Sequence, residues 1–138
     1  MSEKKVLFSP VGGTDPIANF RDGSLLHICR VYKPDIVYLY LSKEMYHYHK
    51  KDNRYIYCLD KLSELINHKF EYRFVERPDL ADVHEFDVFY EEFEGCLREI
   101  REEYSGDILL NISSGTPAMK NALNALALLL EIKLTPVQ

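Results

Sequence analysis

The sequence predicts an α/β fold in which a mostly parallel central sheet lies between two layers of helices. Short apolar runs typical of buried strands alternate along the chain with longer segments of helical periodicity. This alternation favours parallel pairing of strands through right-handed crossover connections. The strand candidates are apolar at nearly every position, as expected when helices cover both faces of a sheet. The expected architecture is therefore a Rossmann-like three-layer sandwich.

Each element follows from a local pattern. The strand candidates are Lys5–Ser9, Asp35–Leu41, Phe70–Val75 and Asp107–Ile112. The segments of helical periodicity are Asp22–Tyr32, Lys43–His68, Val83–Tyr104 and Thr116–Glu131. The first helix should stop at Lys33-Pro34, because a residue before proline disfavours the helical conformation. The last should begin with Thr116 as its N-cap and Pro117 in its first turn. Residues 134–138 resemble the start of a further strand.

Composition limits the class of protein. A chain of 138 residues with 46% hydrophobic residues fits one globular domain. The net charge of −5 argues against binding of duplex nucleic acid, which needs a basic surface. Cys29, Cys58 and Cys96 form no zinc or disulfide pattern, so a cytoplasmic location is expected. No signal peptide is recognised at residues 1–5, and the longest apolar run, residues 122–130, is too short to span a bilayer.

Two turns rich in glycine and hydroxyl side chains follow the first and the fourth strand candidates. Their sequences are Ser9-Pro10-Val11-Gly12-Gly13-Thr14-Asp15 and Asn111-Ile112-Ser113-Ser114-Gly115-Thr116-Pro117. The second turn leads directly into a helix, whose free N–H groups and dipole favour a phosphate. Two such turns in one sheet indicate a phosphorylated ligand that extends along the carboxyl edge. The alternative for each turn is a plain structural turn.

Other sequence features leave alternatives open. The dinucleotide fingerprint and the Walker pattern are both absent from the sequence, so NAD binding and ATP hydrolysis are not expected. Lys120 either reaches an anion at the second turn or is solvated. His47 and His49 stand two residues apart, so on a helix they face different ways and cannot form a paired metal site. The segment that contains them, Met45–His49, either contacts a base or forms a surface aromatic patch. No metal and no cofactor are expected.

Three segments resemble the CARF (CRISPR-associated Rossmann fold) domain of the ancillary ribonucleases of type III-A CRISPR systems. The matching segments are Phe8–Pro16, Arg21–His27 and Leu110–Met119. The resemblance covers essentially the whole chain and preserves the order of the segments. It implies that residues 1–138 form an N-terminal sensor domain, which dimerises and binds a cyclic tetra- or hexa-adenylate across the two-fold axis. In that family a C-terminal HEPN domain then cleaves single-stranded RNA.

The resemblance also implies which residues bind the ligand. Carried over by position, they are Gly12, Gly13, Thr14, Asp15, Arg21, Ser113, Ser114, Gly115, Thr116 and Met119. Some members of the family also cleave the ring slowly, and the candidates for that chemistry here are Asp15, Ser114 and Thr116. Gly13 stands where some members of the family carry a hydrogen-bonding side chain such as Asn. Ring cleavage that depends on such a side chain is therefore not expected here.

The nuclease signature of HEPN domains, an arginine followed by a histidine after four to six residues, matches twice. The pairs are Arg21 with His27 and Arg77 with His84. Neither lies in an all-helical context, so both are interpreted as accidental and the ribonuclease site is expected to be absent from this chain. The leading hypothesis is a homodimeric sensor. The alternatives are a nuclease that degrades the ring, and an unrelated mononucleotide-binding α/β enzyme.

Overall fold

The structure is a computed structural model that describes residues 3–138; Met1 and Ser2, which the sequence places ahead of the first strand, lie outside the described residues. The strands within that range are β1 Val6–Pro10, β2 Ile17–Ala18, β3 Arg21–Asp22, β4 Ile36–Leu41, β5 Glu71–Glu76, β6 Ile108–Asn111 and β7 Leu134–Val137. The helices are α1 Ser24–Tyr32, α2 Lys43–Asp52, α3 Arg54–Ile66, α4 Phe86–Glu103 and α5 Pro117–Leu129.

The central sheet has the strand order β5-β4-β1-β6-β7, and every neighbouring pair within it is parallel. This confirms the predicted α/β class. From β1 the chain crosses to β4 and β5 on one side, and later returns to β6 and β7 on the other. The direction of the strand order therefore reverses between β1 and β6. In open α/β sheets, ligands bind at such a switch point, beyond the carboxyl ends of the strands.

Helices cover both faces of the sheet, as the apolar strands predicted. Phe8 of β1 packs with α4 and α5, whereas its neighbour Leu7 packs with α1 and α3, because successive side chains of a strand point to opposite faces. On the first face, the ring of Phe93 lies edge-on to Phe8 and to Tyr40, with centroid distances of 5.3 and 4.9 Å. These packed aromatic rings hold β1 and β4 in place. They thereby also fix the carboxyl ends of the two strands.

The segment Lys43–His68 was predicted as one helix but is divided into α2 and α3. The break lies at Asn53, which has a φ of 55° and ends α2 in the left-handed conformation. Asparagine tolerates that conformation better than most residues. The Asp52 carboxylate then accepts a hydrogen bond from the Arg54 backbone N–H at 3.1 Å, which starts α3. The division leaves α2 as a separate ten-residue helix directly after β4.

A second difference is the small antiparallel hairpin formed by β2 and β3, which the sequence did not predict. Its tip consists of Asn19 and Phe20, both with positive φ, and the Phe20 side chain is fully exposed. In α3, Tyr55 is fully buried, whereas Tyr57 is 60% exposed. The strand expected after residue 134 is present as β7 and pairs with β6. Between residues 3 and 138, no helix has the length and apolar character to cross a membrane.

Candidate ligand-binding site

The two glycine-hydroxyl turns lie side by side at the carboxyl edge of the sheet. They follow β1 and β6, which are parallel neighbours at the switch point. A Cβ atom built on Gly12 would lie only 2.8 Å from the backbone nitrogen of Gly115, so the two backbones are in direct contact. Gly115 itself has a φ of 91°, a conformation that favours glycine. Both glycines are therefore required by the backbone geometry of the site.

A buried polar network beneath the turns joins the ends of β1 and β6. The Asn111 side-chain amide donates to the hydroxyls of Ser9 and Ser114, at 3.0 and 2.9 Å. The side-chain oxygen of Asn111 accepts a hydrogen bond from the Ser113 backbone N–H at 2.9 Å. The Ser114 hydroxyl also lies 2.5 Å from the hydroxyl of Ser24 at the start of α1, and Ser114 is only 2% exposed. Ser114 thus uses its hydroxyl inside the protein to hold the second turn.

The first turn is held by the carboxylate of Asp15, which is 3% exposed. Its two oxygens accept the backbone N–H groups of Gly12 at 3.0 Å and Leu25 at 3.1 Å. Gly23 fits closely against this carboxylate, since a Cβ atom built on Gly23 would lie 2.6 Å from Oδ1 of Asp15. The Asp15 side chain therefore points inwards, while the neighbouring residue Thr14 is exposed.

Thr116 connects α5 to the loop formed by residues 77–85. As predicted, Thr116 is the N-cap of α5. Its side-chain oxygen accepts a hydrogen bond from the Met119 backbone N–H at 3.4 Å, and Pro117 follows in the first turn of the helix. The same hydroxyl donates to the Val83 carbonyl oxygen at 2.5 Å. This bond holds the 77–85 loop across the carboxyl edge of the sheet. The hydroxyl therefore acts both as a helix cap and as an anchor for one wall of the site.

We expect Thr116→Ala to lower the free energy of unfolding by about 1–2 kcal/mol, because it removes the N-cap of α5 and leaves the Val83 carbonyl without its donor. Thr116→Ser keeps the hydroxyl and should lose much less. Urea unfolding of both variants measures the difference. Equal losses for the two substitutions would show that the methyl group, and not the hydroxyl, matters.

A third strand-to-helix junction completes the site. Ser42 follows β4 and starts α2, while the Lys43 backbone N–H donates to the Leu80 carbonyl oxygen at 3.1 Å and brings the 77–85 loop against it. Between this junction and the two turns lies a cavity of about 200 Å³. Its lining residues are Val11, Gly12, Gly13, Ser42, Glu44, Met45, Leu80, Ala81, Val83, Gly115, Thr116 and Met119.

The structure places the ten sequence-predicted ligand residues in four groups. Those that line the cavity are Gly12, Gly13, Gly115, Thr116 and Met119. Asp15 and Ser114 are buried beneath the turns, and Ser113 and Thr14 lie on the turns beside the cavity. Arg21 lies apart from the cavity lining, on the exposed strand β3. Contact with a ligand stays a prediction for all ten.

Met45 belongs to the segment for which the sequence left base contact open, and it lines the cavity. Sequence reasoning missed Ser42, Glu44 and the 77–85 loop. A signal was present for the first of these, since a serine directly after an apolar strand and ahead of a helical segment is a typical N-cap. The loop gives no such signal, because its place in the site depends on the bonds from Lys43 and Thr116, which are distant in the sequence. The site therefore uses three strand ends rather than two.

The histidines of α2 do face different ways, as predicted. His49 is 8% exposed and stacks between the rings of Tyr55 and Phe74, with centroid distances of 5.2 and 4.8 Å. Burial lowers the pKa of His49 and favours the neutral ring. His47 is exposed. In the described part of the chain, no group of three His, Cys, Asp or Glu side chains is arranged to hold a metal ion.

The parallel sheet, with glycine-rich turns meeting at its switch point, defines a Rossmann-like domain of the nucleotide-binding kind. Residues 72–138 match the Cas_Csm6 CARF domain family. The chain belongs to the CARF domains of the Csm6 family. This excludes the alternative of an unrelated mononucleotide-binding α/β enzyme.

Relatives and a solved structure agree with that assignment. The CRISPR system endoribonuclease Csm6 of Mycobacterium tuberculosis is 41% identical over 122 residues, which are 88% of this chain and 28% of the relative. Csm6' of Streptococcus thermophilus is 38% identical over 141 residues, covering 97% of this chain and 33% of that protein. The structure of Enterococcus italicus Csm6 bound to cyclic hexa-2'-fluoro-hexa-dAMP superposes with a TM-score of 0.81 at 29% identity, over 96% of this chain and 32% of that one. This chain thus spans a third or less of the length of each.

Proposed function

We propose that residues 1–138 form a cytoplasmic sensor domain that binds a cyclic oligoadenylate and thereby controls a ribonuclease in type III CRISPR antiviral defence. The observation that supports this most directly is the contact between Gly12 and Gly115, which joins two anion-favouring turns at the switch point of the sheet. The ligand of the Enterococcus italicus protein is a ring of six nucleotides. The short share of each relative that the chain covers supports a sensor that is one part of a longer protein.

The chemistry of the site suits a ring of phosphodiesters. Backbone N–H groups of Gly13 and Thr14, together with the N-terminus of α5, offer donors to phosphate oxygens without a basic side chain. With a net charge of −5 the domain has no general attraction for nucleic acid, so binding of a duplex is not expected. The bound ring favours one arrangement of the two protomers over another. The change in that arrangement then alters the activity of the ribonuclease part of the protein.

A homodimer is part of the proposal, because the ring is itself symmetric and α5 ends in exposed leucine side chains. Leu128 and Leu129 at the end of that helix are 85% and 70% exposed. The interface should include α5 and the residues that follow it. Light scattering of the purified chain at tens of micromolar should give the mass of two protomers, and a monomeric mass would contradict this part of the proposal.

Calorimetric titration of the purified chain tests the function itself. We expect cyclic hexa-adenylate or cyclic tetra-adenylate to bind with one ring per two chains. The ring that binds with the higher affinity identifies the ring size of the natural ligand. Adenosine monophosphate serves as the control and should bind far more weakly, because it cannot occupy both protomers at once. If neither ring binds, the proposal fails.

The isolated chain should leave unstructured RNA intact, with or without the ring. Arg21 lies on β3 and His27 on α1, while Arg77 and His84 lie in the loop after β5, so neither pair has a helical HEPN setting. Slow loss of the ring, the alternative activity, would need the ligand's own 2′-hydroxyl in line with the phosphorus and no divalent metal. A 2′-fluoro ring should then resist cleavage.

Labelled RNA and labelled ring, each incubated with and without a chelator, measure both activities. RNA cleavage stimulated by the ring would show that the nuclease site lies within residues 1–138 after all. Ring loss that the chelator abolishes would instead require a metal site.

A further inference from the structure

The short helix α2 is docked onto the domain through a histidine. Of its ten residues only His49 is buried, Met45 and Tyr46 are half-buried, and all the others are exposed. Asn53 separates α2 from α3, so the two do not form one longer helix. An isolated helix of this length is marginally stable in water and depends on its tertiary contacts. The position of α2 therefore depends strongly on the packing of the His49 ring.

The His49 ring lies between two aromatic rings from different elements. Tyr55 of α3 and Phe74 of β5 stack on it with interplanar angles of 28° and 26°. Burial raises the pKa of the Tyr55 phenol, so this neighbour brings no charge. Nδ1 of His49 is buried and has no hydrogen-bond partner within residues 3–138. Protonation would place an N–H on each ring nitrogen, and burying a charged donor at Nδ1 without an acceptor is unfavourable.

The charged groups around His49 are already paired with one another. Glu76 at the end of β5 lies 3.8 Å from Lys50 of α2, and Arg54 at the start of α3 lies 2.7 Å from Asp52. The two positive and the two negative charges offset each other, so neither carboxylate is left to hold an imidazolium. Burial of the ring is therefore the dominant influence, and it lowers the pKa of His49.

We propose that His49 is a pH-sensitive switch, which docks α2 while its ring is neutral and loosens the helix once the ring is protonated. Because the pKa of His49 is lower in the folded chain than in the unfolded chain, the unfolded chain takes up the proton first as the pH falls. The contribution of His49 to stability is therefore complete above the ordinary histidine pKa of about 6.5 and is lost as the pH falls below that value.

Loosening of α2 would also reach the ligand cavity. Met45 lines the cavity, and its Sδ atom accepts the Tyr55 hydroxyl at 3.7 Å. The Lys43 backbone N–H holds the 77–85 loop through the Leu80 carbonyl oxygen. Both contacts depend on the position of α2, so acidification should displace one wall of the cavity and weaken binding of the cyclic oligoadenylate. This last step rests on the proposed function, whereas the pH-dependent packing of α2 does not.

Urea unfolding at about pH 7.5 and about pH 5.5 tests the switch, with His49→Phe as the variant that keeps a stacking ring but cannot be protonated. On acidification the unfolding equilibrium constant of the unmodified chain should rise more than that of the variant. The difference is up to about ten-fold, the limit for a histidine that stays neutral in the folded chain. His47→Phe, on the exposed face of the same helix, is the matched control and should respond like the unmodified chain. An equal response of the unmodified chain and His49→Phe would overturn the proposal.

Nuclear magnetic resonance of the unmodified chain gives a second measurement that does not depend on the stability of a variant. The ring protons of His49, assigned by their absence from the spectrum of His49→Phe, should titrate at a lower pH than those of the exposed His47. Titration of both rings at the same pH would contradict the proposal.

Calorimetry with cyclic hexa-adenylate at the same two pH values tests the effect on the cavity. Affinity should fall several-fold at the lower pH for the unmodified chain and change little for His49→Phe. If the ring binds the unmodified chain equally at both pH values, the step from α2 to the cavity is wrong. If no ring binds at either pH, the proposed function fails, and the unfolding and resonance measurements still decide whether His49 is a switch.

Discussion

Gly12→Ala should abolish high-affinity binding of the cyclic oligoadenylate, with a loss of roughly 100-fold or more, equivalent to about 2.7 kcal/mol. The added Cβ would lie 2.8 Å from the Gly115 backbone nitrogen and 3.3 Å from its Cα. Both are main-chain atoms, and Gly115 is held by the network beneath the second turn. The strain can therefore be relieved only by moving the turns apart, which separates the two sets of N–H donors.

Gly13→Ala is the matched control, because it adds the same methyl group one residue along. A Cβ on Gly13 meets no atom within 4 Å. Thermal unfolding should show that the Gly12 variant loses about 1–3 kcal/mol of the free energy of unfolding, which is the usual cost of overpacking. The Gly13 variant should show little change. Calorimetry with the adenylate ring then measures binding. A Gly12 variant that binds like the unmodified chain would refute the view that the two turns act as one site.

The fold could be predicted because the strands carry a strong local signal. In β1, β4 and β6 almost every residue is apolar, and the predicted bounds agree with the structure to within a residue or two. The break between α2 and α3 could not be predicted in the same way. It depends on the single backbone conformation of Asn53, and the helical periodicity on either side continues across it. The β2–β3 hairpin has only two residues in each strand, too few to show an alternation.

That the two turns meet could also be predicted, since each turn has a local signature and parallel strands bring their carboxyl ends to the same edge of the sheet. The direction of individual side chains could not. Asp15 turns inwards because the N–H of Leu25, ten residues away, is its partner. Ser114 is held by Asn111, which also bonds Ser9, 102 residues earlier in the chain. Both residue types suit a ligand or an internal bond equally well, and only the tertiary contacts decide between them.

Asp15→Ala should lower the free energy of unfolding by about 3 kcal/mol. The carboxylate is buried, and its removal leaves the N–H groups of Gly12 and Leu25 without their acceptor. Leu25 lies in the first turn of α1, so the substitution also removes a negative charge from a position where the helix dipole favours it.

Asp22→Ala is the appropriate comparison, because the Asp22 carboxylate pairs with Arg30 at 2.9 Å on the protein surface. Exposed ion pairs contribute roughly 0–1 kcal/mol, so that variant should be nearly as stable as the unmodified chain. Urea unfolding measures both free energies. Equal stabilities for the two variants would mean that Asp15 does not hold the first turn, and its side chain would then be free to act on the ligand. A large loss for Asp15 alone would instead tie ligand binding at the first turn to its backbone, with the carboxylate serving to position that backbone.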